Sequence, residues 1–233
     1  MWSNVISLDK RFGREIDFII GKLKDIKHLS YAVEESRDRV FVYVASVCEL
    51  RDEVEERVKD ILVTVFLVFM KLRFFLGELQ NMDLNHANCA LICSMVHFDS
   101  AYERGIVERV LSASADYALD GIMHFRLRPL TENWSELALL ATRLISSGGG
   151  GDVYDIASFI TGTDGAKNRV ALSSDSLFNL TVRRPVEVID LFGKPELNLI
   201  SAIIGERPCE ILLEDVSLSE GMREALRHIA PLR

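Results

Sequence analysis

Residues 51–79 read RDEVEERVKDILVTVFLVFMKLRFFLGEL, and this stretch decides the fold. Its apolar residues recur at spacings of three, four and seven, the period of an α-helix. They are Val54, Val58, Ile61, Val65, Val68, Leu72 and Leu79. Four phenylalanines between residues 66 and 75 make the middle of the helix apolar nearly all round, so several neighbours must bury it. The stretch predicts a long helix that forms the spine of the central core.

On the N-terminal side of the spine, the sequence predicts a helix followed by a hairpin. Residues 12–23 have one apolar face, and either Ser7 or Asp9 precedes them as a helix cap. Two β-like runs follow at residues 29–33 and 40–47. The second run alternates, with Phe41, Tyr43, Ala45 and Val47 on one side.

On the C-terminal side, helical patterns cover residues 85–96 and 132–145, and a helix between them begins at the capping box Ser100-Ala-Tyr-Glu103. The segment Ser146-Ser-Gly-Gly-Gly-Gly-Asp152 then predicts a flexible loop, because four glycines are costly to order. Beyond the loop, Asp152 is expected to cap a short helix. Strands are expected near residues 170–172, 177–182, 186–191 and 210–213, and helices at residues 197–204 and after the capping box 217–220.

These patterns together predict an α+β protein. We expect a small helix-plus-hairpin α+β unit at residues 1–48 and a helical core at residues 49–146. The Gly-rich loop at residues 147–152 then leads to an α/β unit at residues 153–233.

Charge and composition argue against several classes of protein. The 233 residues carry a formal net charge of −8, with −3 before residue 131 and −5 after it, so neither part has the basic excess that nucleic-acid binding needs. The longest apolar segment, residues 61–70, covers only about half of a membrane span. The N-terminus has no basic start with a long apolar run, and four cysteines without C-x-x-C spacing favour a reduced state. We therefore expect a cytoplasmic protein without membrane insertion.

The pattern most suggestive of a metal site is His86-Ala-Asn-Cys89-Ala-Leu-Ile-Cys93-Ser-Met-Val-His97. These four residues step by three, four and four along one stripe of a helix, and imidazole and thiolate groups bind zinc or iron. A straight helix places only two neighbouring residues on one ion, however, and His86 and His97 would be about 16 Å apart. A core stripe with packed cysteines is the favoured interpretation, so the sequence predicts no metal and no cofactor.

The second candidate is the segment Asp120-Gly121-Ile-Met-His124-Phe125-Arg126. Asp120 and His124 could form an acid–base pair, and Arg126 could hold a carboxylate or phosphate. The structural alternative is favoured, because no nucleophile or phosphate loop lies nearby. In that alternative Gly121 supplies a turn, Phe125 and Leu127 anchor in the core, and Arg126 makes an ion pair.

Residues 117–127, YALDGIMHFRL, resemble the segment that marks the YtxC-like family of spore-forming bacteria. That segment has an acidic residue followed by a glycine, then intervening positions and a Phe-Arg-Leu ending. Residues 196–213, ELNLISAIIGERPCEILL, resemble the closing block of the same family. The resemblance spans residues 40–231, with two departures: Arg128-Pro129-Leu130 follows Phe-Arg-Leu, and the glycine loop replaces a continuous helix.

The resemblance implies an association with sporulation and brings no enzymatic activity, cofactor or catalytic residue. Two hypotheses about function follow. The first is a non-enzymatic cytoplasmic protein that acts by binding a protein partner or a second copy of itself. The second is an enzyme or small-ligand-binding protein with a site around Asp120 to Arg126.

Overall fold

The computed structural model describes residues 2–80, 82–146, 153–161, 167–174 and 176–233. Its fold is α+β, as the sequence predicts. The helices are α1 (Gly13–Lys24), α2 (Arg51–Thr64), α3 (Lys71–Glu78), α4 (His86–His97), α5 (Ser100–Ser112), α6 (Leu119–Gly121), α7 (Arg128–Ser146), α8 (Val153–Thr161), α9 (Pro195–Gly205) and α10 (Glu220–Ile229). The strands are β1 (Trp2–Asp9), β2 (Ser30–Glu35), β3 (Arg39–Ser46), β4 (Tyr117–Ala118), β5 (Asn168–Ser173), β6 (Leu177–Asn179), β7 (Arg184–Val186) and β8 (Pro208–Glu214).

The chain folds into two compact units, each made of two separate segments. The first unit contains Met1–Lys71 and Asp99–Asn133, and the second contains Leu72–Phe98 and Trp134–Arg233. The predicted domain boundaries at residues 48/49 and 146/153 do not coincide with these units. Long-range pairing explains the difference: β4 returns to pair with β1, whereas α4 packs on α8 and α9. The predicted Gly-rich loop, residues 147–152, and its Asp152 cap lie outside the described residues.

The first unit contains a four-stranded sheet in the order β2-β3-β1-β4. The predicted hairpin is present as β2 and β3, and β1 lies antiparallel to β3 with Ile6 opposite Val42. Strand β1 was not predicted: the sequence pattern places the first helix directly after Ser7 or Asp9. In the structure Asp9 ends β1 and caps a 3₁₀ turn, because its carboxylate accepts a hydrogen bond from the backbone N–H of Arg11 at 2.9 Å.

One face of the first sheet belongs to the core of its unit. Ile6, Leu8, Val40, Val42 and Val44 are all buried on this face. The alternating residues Phe41, Tyr43 and Ala45 lie on the opposite face, because successive side chains of a strand point to opposite sides. The valines of β3, and not its aromatic residues, therefore hold the sheet onto the core.

The predicted spine helix is present as α2, a π-helical segment at Val65–Met70, and α3. Val58, Leu62 and Phe66 have no exposed surface, as expected of a helix covered from several sides. The π-helical segment packs near α1, where the rings of Phe18 and Phe69 lie 4.8 Å apart. The hydrophobic period alone did not distinguish this π-helical segment from the α-helix on either side.

The second unit contains a mixed sheet in the order β7-β6-β5-β8, with β5 parallel to β8. Helices α4, α8, α9 and α10 pack together in the same unit. Two strands differ from the prediction: β6 is shorter than the expected residues 177–182, and β7 lies before the expected residues 186–191 and shares only Val186 with them. β6 ends at Asn179 because its side-chain oxygen accepts hydrogen bonds from the backbone N–H groups of Thr181 and Val182, which turns the chain.

Two predicted capping boxes have a different structure. The N-cap of α5 is Asp99 rather than Ser100, and the Glu103 side chain pairs with Lys71. The N-cap of α10 is Ser219 rather than Ser217, and its hydroxyl accepts a hydrogen bond from the backbone N–H of Met222. In both helices the Ser-x-x-Glu pattern identified the correct turn but the wrong capping residue. No helix in the described ranges combines the length and the apolar character needed to cross a membrane.

Candidate functional site

The segment that carries Asp120 and His124 forms α6 and a π-helical turn at Ile122–Arg126 in the first unit. Buried leucines hold its two ends, since Leu119 and Leu127 have no exposed surface. Gly121 has helical backbone angles (φ −67°, ψ −45°), so the predicted turn at this glycine is a helical turn that any residue can form.

Asp120 forms a two-pronged ion pair with Arg39 of β3. Its two carboxylate oxygens accept hydrogen bonds at 2.7 and 2.8 Å from the Arg39 guanidinium, which also donates to the Ser7 hydroxyl at 3.1 Å. The hydrogen bonds from Arg39 hold the pKa of Asp120 below its usual range. The Asp120 carboxylate thus links β3 to the helical turn that follows β4 through an ion pair.

The structure does not bring Asp120 and His124 together. The ring of His124 contacts Phe125 edge to face, with centroids 4.6 Å apart, and no described carboxylate lies within hydrogen-bond distance of this imidazole. Phe125 is 78% exposed, which corrects the expectation that it anchors in the core alongside Leu127. Arg126 donates to the Ser114 hydroxyl at 3.0 Å instead of to a carboxylate. Asp120 and His124 therefore do not form the acid–base pair of the enzymatic hypothesis.

The His/Cys stripe lies on α4 in the second unit, and its four residues have separate surroundings. Cys89 and Cys93 are fully buried with their sulfur atoms 3.7 Å apart. The hydrogen bond with Cys93, together with burial, raises the pKa of the Cys89 thiol. Such thiols remain protonated and inert, as the core interpretation expects.

The two histidines at the ends of this stripe each pack against a glycine. A Cβ atom at Gly221 would lie 2.7 Å from His86 Nδ1, and one at Gly205 would lie 2.9 Å from His97 Cε1. Both glycines therefore make room for an imidazole ring. Within the described part of the chain, no three His, Cys, Asp or Glu side chains are grouped closely enough to hold a metal ion.

His86 belongs to a polar cluster at the beginning of three helices. Glu196, in the first turn of α9, accepts hydrogen bonds from His86 Nε2 at 2.7 Å and from the Ser219 hydroxyl at 3.0 Å. His86 is the first residue of α4 and Ser219 is the N-cap of α10. Since a helix N-terminus carries partial positive charge, a carboxylate here stabilises all three ends. The hydrogen bond from His86 is the main cause that lowers the pKa of Glu196.

A shallow pocket of about 270 Å³ lies beside this cluster, with Lys194 and Leu84 among its lining residues. Nε2 of His86 is engaged by Glu196, and Nδ1 lies close to Gly221. This arrangement makes the cluster a structural junction between helices.

A surface that was not predicted from the sequence is the outer face of the first sheet, opposite its core face. We define the outer face by the residues that the strand register places on that side: Ser3, Val5, Ser7, Ser30, Ala32, Glu34, Phe41, Tyr43, Ala45 and Ala118. Most of these residues are partly or fully exposed, with Tyr43 at 41%. A shallow groove of about 350 Å³ lies on this part of the sheet, with the small residues Ala32 and Ala45 among its lining residues. The alternation in β3 was the signal for this face.

A buried ion pair in the first unit was also not predicted from the sequence. The ammonium of Lys71 lies 2.6 Å from the Glu103 carboxylate, and the two side chains are 0% and 6% exposed. Removal from water lowers the pKa of Lys71, while Glu103 acts in the opposite direction. The visible signal was one lysine in the middle of the apolar run FLVFMKLRFF.

Comparisons with known proteins found no relative. No family model, no curated protein and no solved structure matches this chain. Membership of the YtxC-like family therefore remains a hypothesis based on residues 117–127 and 196–213.

Proposed function

We propose that this chain is a non-enzymatic protein that acts by binding another protein through the outer face of its first sheet. The observation that carries the proposal is the contrast between the two faces of that sheet. The core face holds residues such as Val42 and Val44, which are at most 3% exposed, whereas Tyr43 between them is 41% exposed. An antiparallel sheet with one solvated face normally has polar residues there. Beside serines and Glu34, this face also carries Val5, Phe41 and Tyr43.

The chemistry of the outer face is that of a protein interface. Aromatic residues are enriched in such interfaces, and Tyr43 combines a ring for packing with a hydroxyl that donates to Glu34 at 2.9 Å. Ala32 and Ala45 leave space in the groove for the side chains of a partner. An aromatic or aliphatic anchor residue of the partner suits a groove of this size and composition.

The enzymatic alternative receives no comparable support. Asp120 is engaged by Arg39, and the His124 ring contacts Phe125 rather than a described carboxylate. The resemblance of residues 117–127 and 196–213 to the YtxC-like family supports a role in sporulation, and a cytoplasmic location accompanies that role. A deletion strain that forms fewer heat-resistant spores is the expected result, and unaltered spore numbers would contradict this part of the proposal.

Site-specific photocrosslinking tests the binding face. A photoreactive phenylalanine derivative replaces Tyr43 in the whole chain, expressed in its native cells, and adducts are identified by mass spectrometry. We expect one discrete adduct with a different protein. Tyr102 is the matched control, because it is a 58% exposed tyrosine of the same unit on α5. Absence of an adduct at Tyr43, or an adduct with a second copy of this chain alone, would overturn the proposal.

A further inference from the structure

The edges of the two sheets differ in how they are protected. An edge strand exposes unpaired backbone N–H and C=O groups, and proteins usually shorten, cover or interrupt it to prevent association. In the second unit, β7 is a three-residue edge strand with Pro185 at its centre, and the residue before it, Arg183, has a positive φ of 55°. Both features block the addition of another strand.

The opposite edge of the second sheet is covered by the end of the chain. The backbone N–H of Ile211 in β8 donates to the carbonyl of Pro231 at 2.9 Å, and the N–H of Leu213 donates to that of Arg233 at 2.8 Å. In the first unit the β4 edge is only two residues long.

β2 has none of these protections. It runs for six residues, Ser-Tyr-Ala-Val-Glu-Glu, without proline, glycine or lysine, and its pairing with β3 is regular throughout. Five of its six residues are exposed and the sixth, Tyr31, is partly buried. Of the sheet edges in the described ranges, β2 is the one that remains open for a further strand.

The hairpin geometry identifies which backbone groups of β2 face outward. The backbone N–H of Ser36 donates to the carbonyl of Arg39 at 2.9 Å, so these two residues form a hydrogen-bonded pair. Such pairs alternate along an antiparallel ladder, which makes Ala32 opposite Tyr43 a bonded pair and Val33 opposite Val42 a non-bonded one. The N–H and C=O groups of Tyr31, Val33 and Glu35 therefore point away from β3.

We infer that β2 pairs antiparallel with β2 of a second copy of this chain, across a twofold axis at Ala32. This register matches the outward groups of Tyr31 with those of the second copy's Val33, an aromatic and β-branched pair that stabilises sheets. It also covers Val33, which is 43% exposed in the single chain. A register centred on Val33 would instead place Tyr31 opposite Glu35 and Ala32 opposite Glu34.

Charge favours the antiparallel direction. Glu34 and Glu35 end the strand and Ser30 begins it. With the axis at Ala32, antiparallel pairing sets Glu34 opposite Ser30 of the second copy, whereas parallel pairing in register would set glutamate beside glutamate. A twofold interface of this kind is self-complementary and closes at two copies.

Pairing of two β2 strands deepens the proposed function. The binding role of the surface that the two outer faces form together rests on that proposal. The groove of the outer face is lined partly by Ser30 and Ala32 of β2. Pairing of two β2 strands therefore places the two grooves side by side on one eight-stranded sheet, and a partner protein meets a surface twice as wide.

Analytical ultracentrifugation of the whole chain tests the pairing. We expect a mass twice that of the 26.3 kDa chain. Val33→Pro removes an outward N–H without breaking a bond to β3, so this variant is expected to sediment as a monomer with an unchanged circular dichroism spectrum. Val33→Thr keeps the N–H and the branched side chain, and it is the matched control that stays dimeric. A monomeric wild-type chain, or a dimeric Val33→Pro variant, would overturn the inference.

A disulfide test remains decisive if Val33→Pro fails to fold. Cys48 and Cys209 are exposed and are first changed to serine. Ala32→Cys then places two thiols in a non-bonded antiparallel pair, where Cα atoms about 4.5 Å apart suit a disulfide. Mild oxidation is expected to link two chains, whereas Ser3→Cys, exposed on β1, stays unlinked. Failure of Ala32→Cys to link rejects the pairing, while an adduct of Tyr43 with another protein would leave the proposed function intact.

Discussion

The ammonium group of Lys71 lies 2.6 Å from the carboxylate of Glu103, with both side chains almost completely removed from water. The pair joins the end of the π-helical segment in the spine to the first turn of α5. Two charges in such a place are held by each other, because either one alone would be costly to bury. The ion pair between Lys71 and Glu103 thus fixes the position of α5 against the spine in the core of the first unit.

Replacing Glu103 by glutamine is expected to lower the free energy of unfolding by about 3–5 kcal/mol, because the Lys71 charge loses this counter-charge in a buried place. Urea denaturation followed by circular dichroism measures the loss. Glu108→Gln is the matched control on the same helix. Glu108 pairs with Arg104 where both side chains are nearly half exposed, so that change should cost less than about 1 kcal/mol. Equal losses for the two variants would contradict the role given to Glu103.

The defect of Glu103→Gln should shrink as the pH rises. Burial already lowers the pKa of Lys71 below 10.5 in the folded chain, and loss of Glu103 lowers this pKa further. Between the folded and unfolded pKa values the unfolded state binds more protons, so stability increases with pH in that interval. Denaturation of the variant at neutral pH and in the alkaline range below pH 10.5 should show this gain relative to the wild-type chain. A constant difference would argue against a desolvated lysine.

Asp120→Asn is expected to destabilise the first unit by roughly 1–3 kcal/mol, because the Arg39 guanidinium loses two charge-assisted hydrogen bonds. Arg39→Gln should have a similar effect. The double variant should lose less than the sum of the two, since they share one interaction. Thermal denaturation of all three variants measures the interaction free energy between Arg39 and Asp120. Strict additivity would mean that the ion pair contributes nothing to stability.

Glu196→Gln should reduce stability at neutral pH and matter less in acid. The hydrogen bond from His86 depresses the pKa of Glu196, so this carboxylate stabilises the folded state above its unfolded pKa near 4.5. That stabilisation is lost as the pH falls through the lower, folded pKa. Melting temperatures of the variant and the wild-type chain should therefore converge in this acidic range. Glu224→Gln, at an exposed position on α10, is the control substitution.

The four cysteines should divide into two pairs by reactivity. Cys48 and Cys209 are exposed and are expected to react quickly with a thiol reagent in the folded chain. Cys89 and Cys93 are buried, and their mutual hydrogen bond together with burial raises the pKa of Cys89, so these two should react only after denaturation. Elemental analysis of the same sample should find no stoichiometric zinc or iron. Either stoichiometric metal or rapid reaction of all four thiols would restore the metal-site hypothesis.

Local patterns in the sequence were sufficient for the class of fold and for much of its secondary structure. The period of residues 51–79 predicted the spine, and the alternation in residues 40–47 predicted β3 with its neighbour β2. Both signals arise because a buried helix or strand carries apolar residues at a regular period, and this period is visible among neighbouring residues of the chain. β1 was missed because its run Trp2–Asp9 mixes apolar and polar residues without a clear period.

The sites depended on contacts between residues far apart in the chain. Arg39 and Asp120 are 81 residues apart and His86 and Glu196 are 110 apart, so no local pattern could reveal either pair. The same limit applies to the boundaries of the two units, which follow strand and helix partners rather than sequence order.

The amino-acid sequence by itself determined an acidic α+β chain with a hydrophobic spine, because composition and periodicity are properties of neighbouring residues. Only the tertiary structure decided that Asp120 is an ion-pair partner, that Phe125 lies on the surface, and that Lys71 is buried against Glu103. It also decided which side of the first sheet is left open, since a period of two defines two faces but not which of them the core will cover.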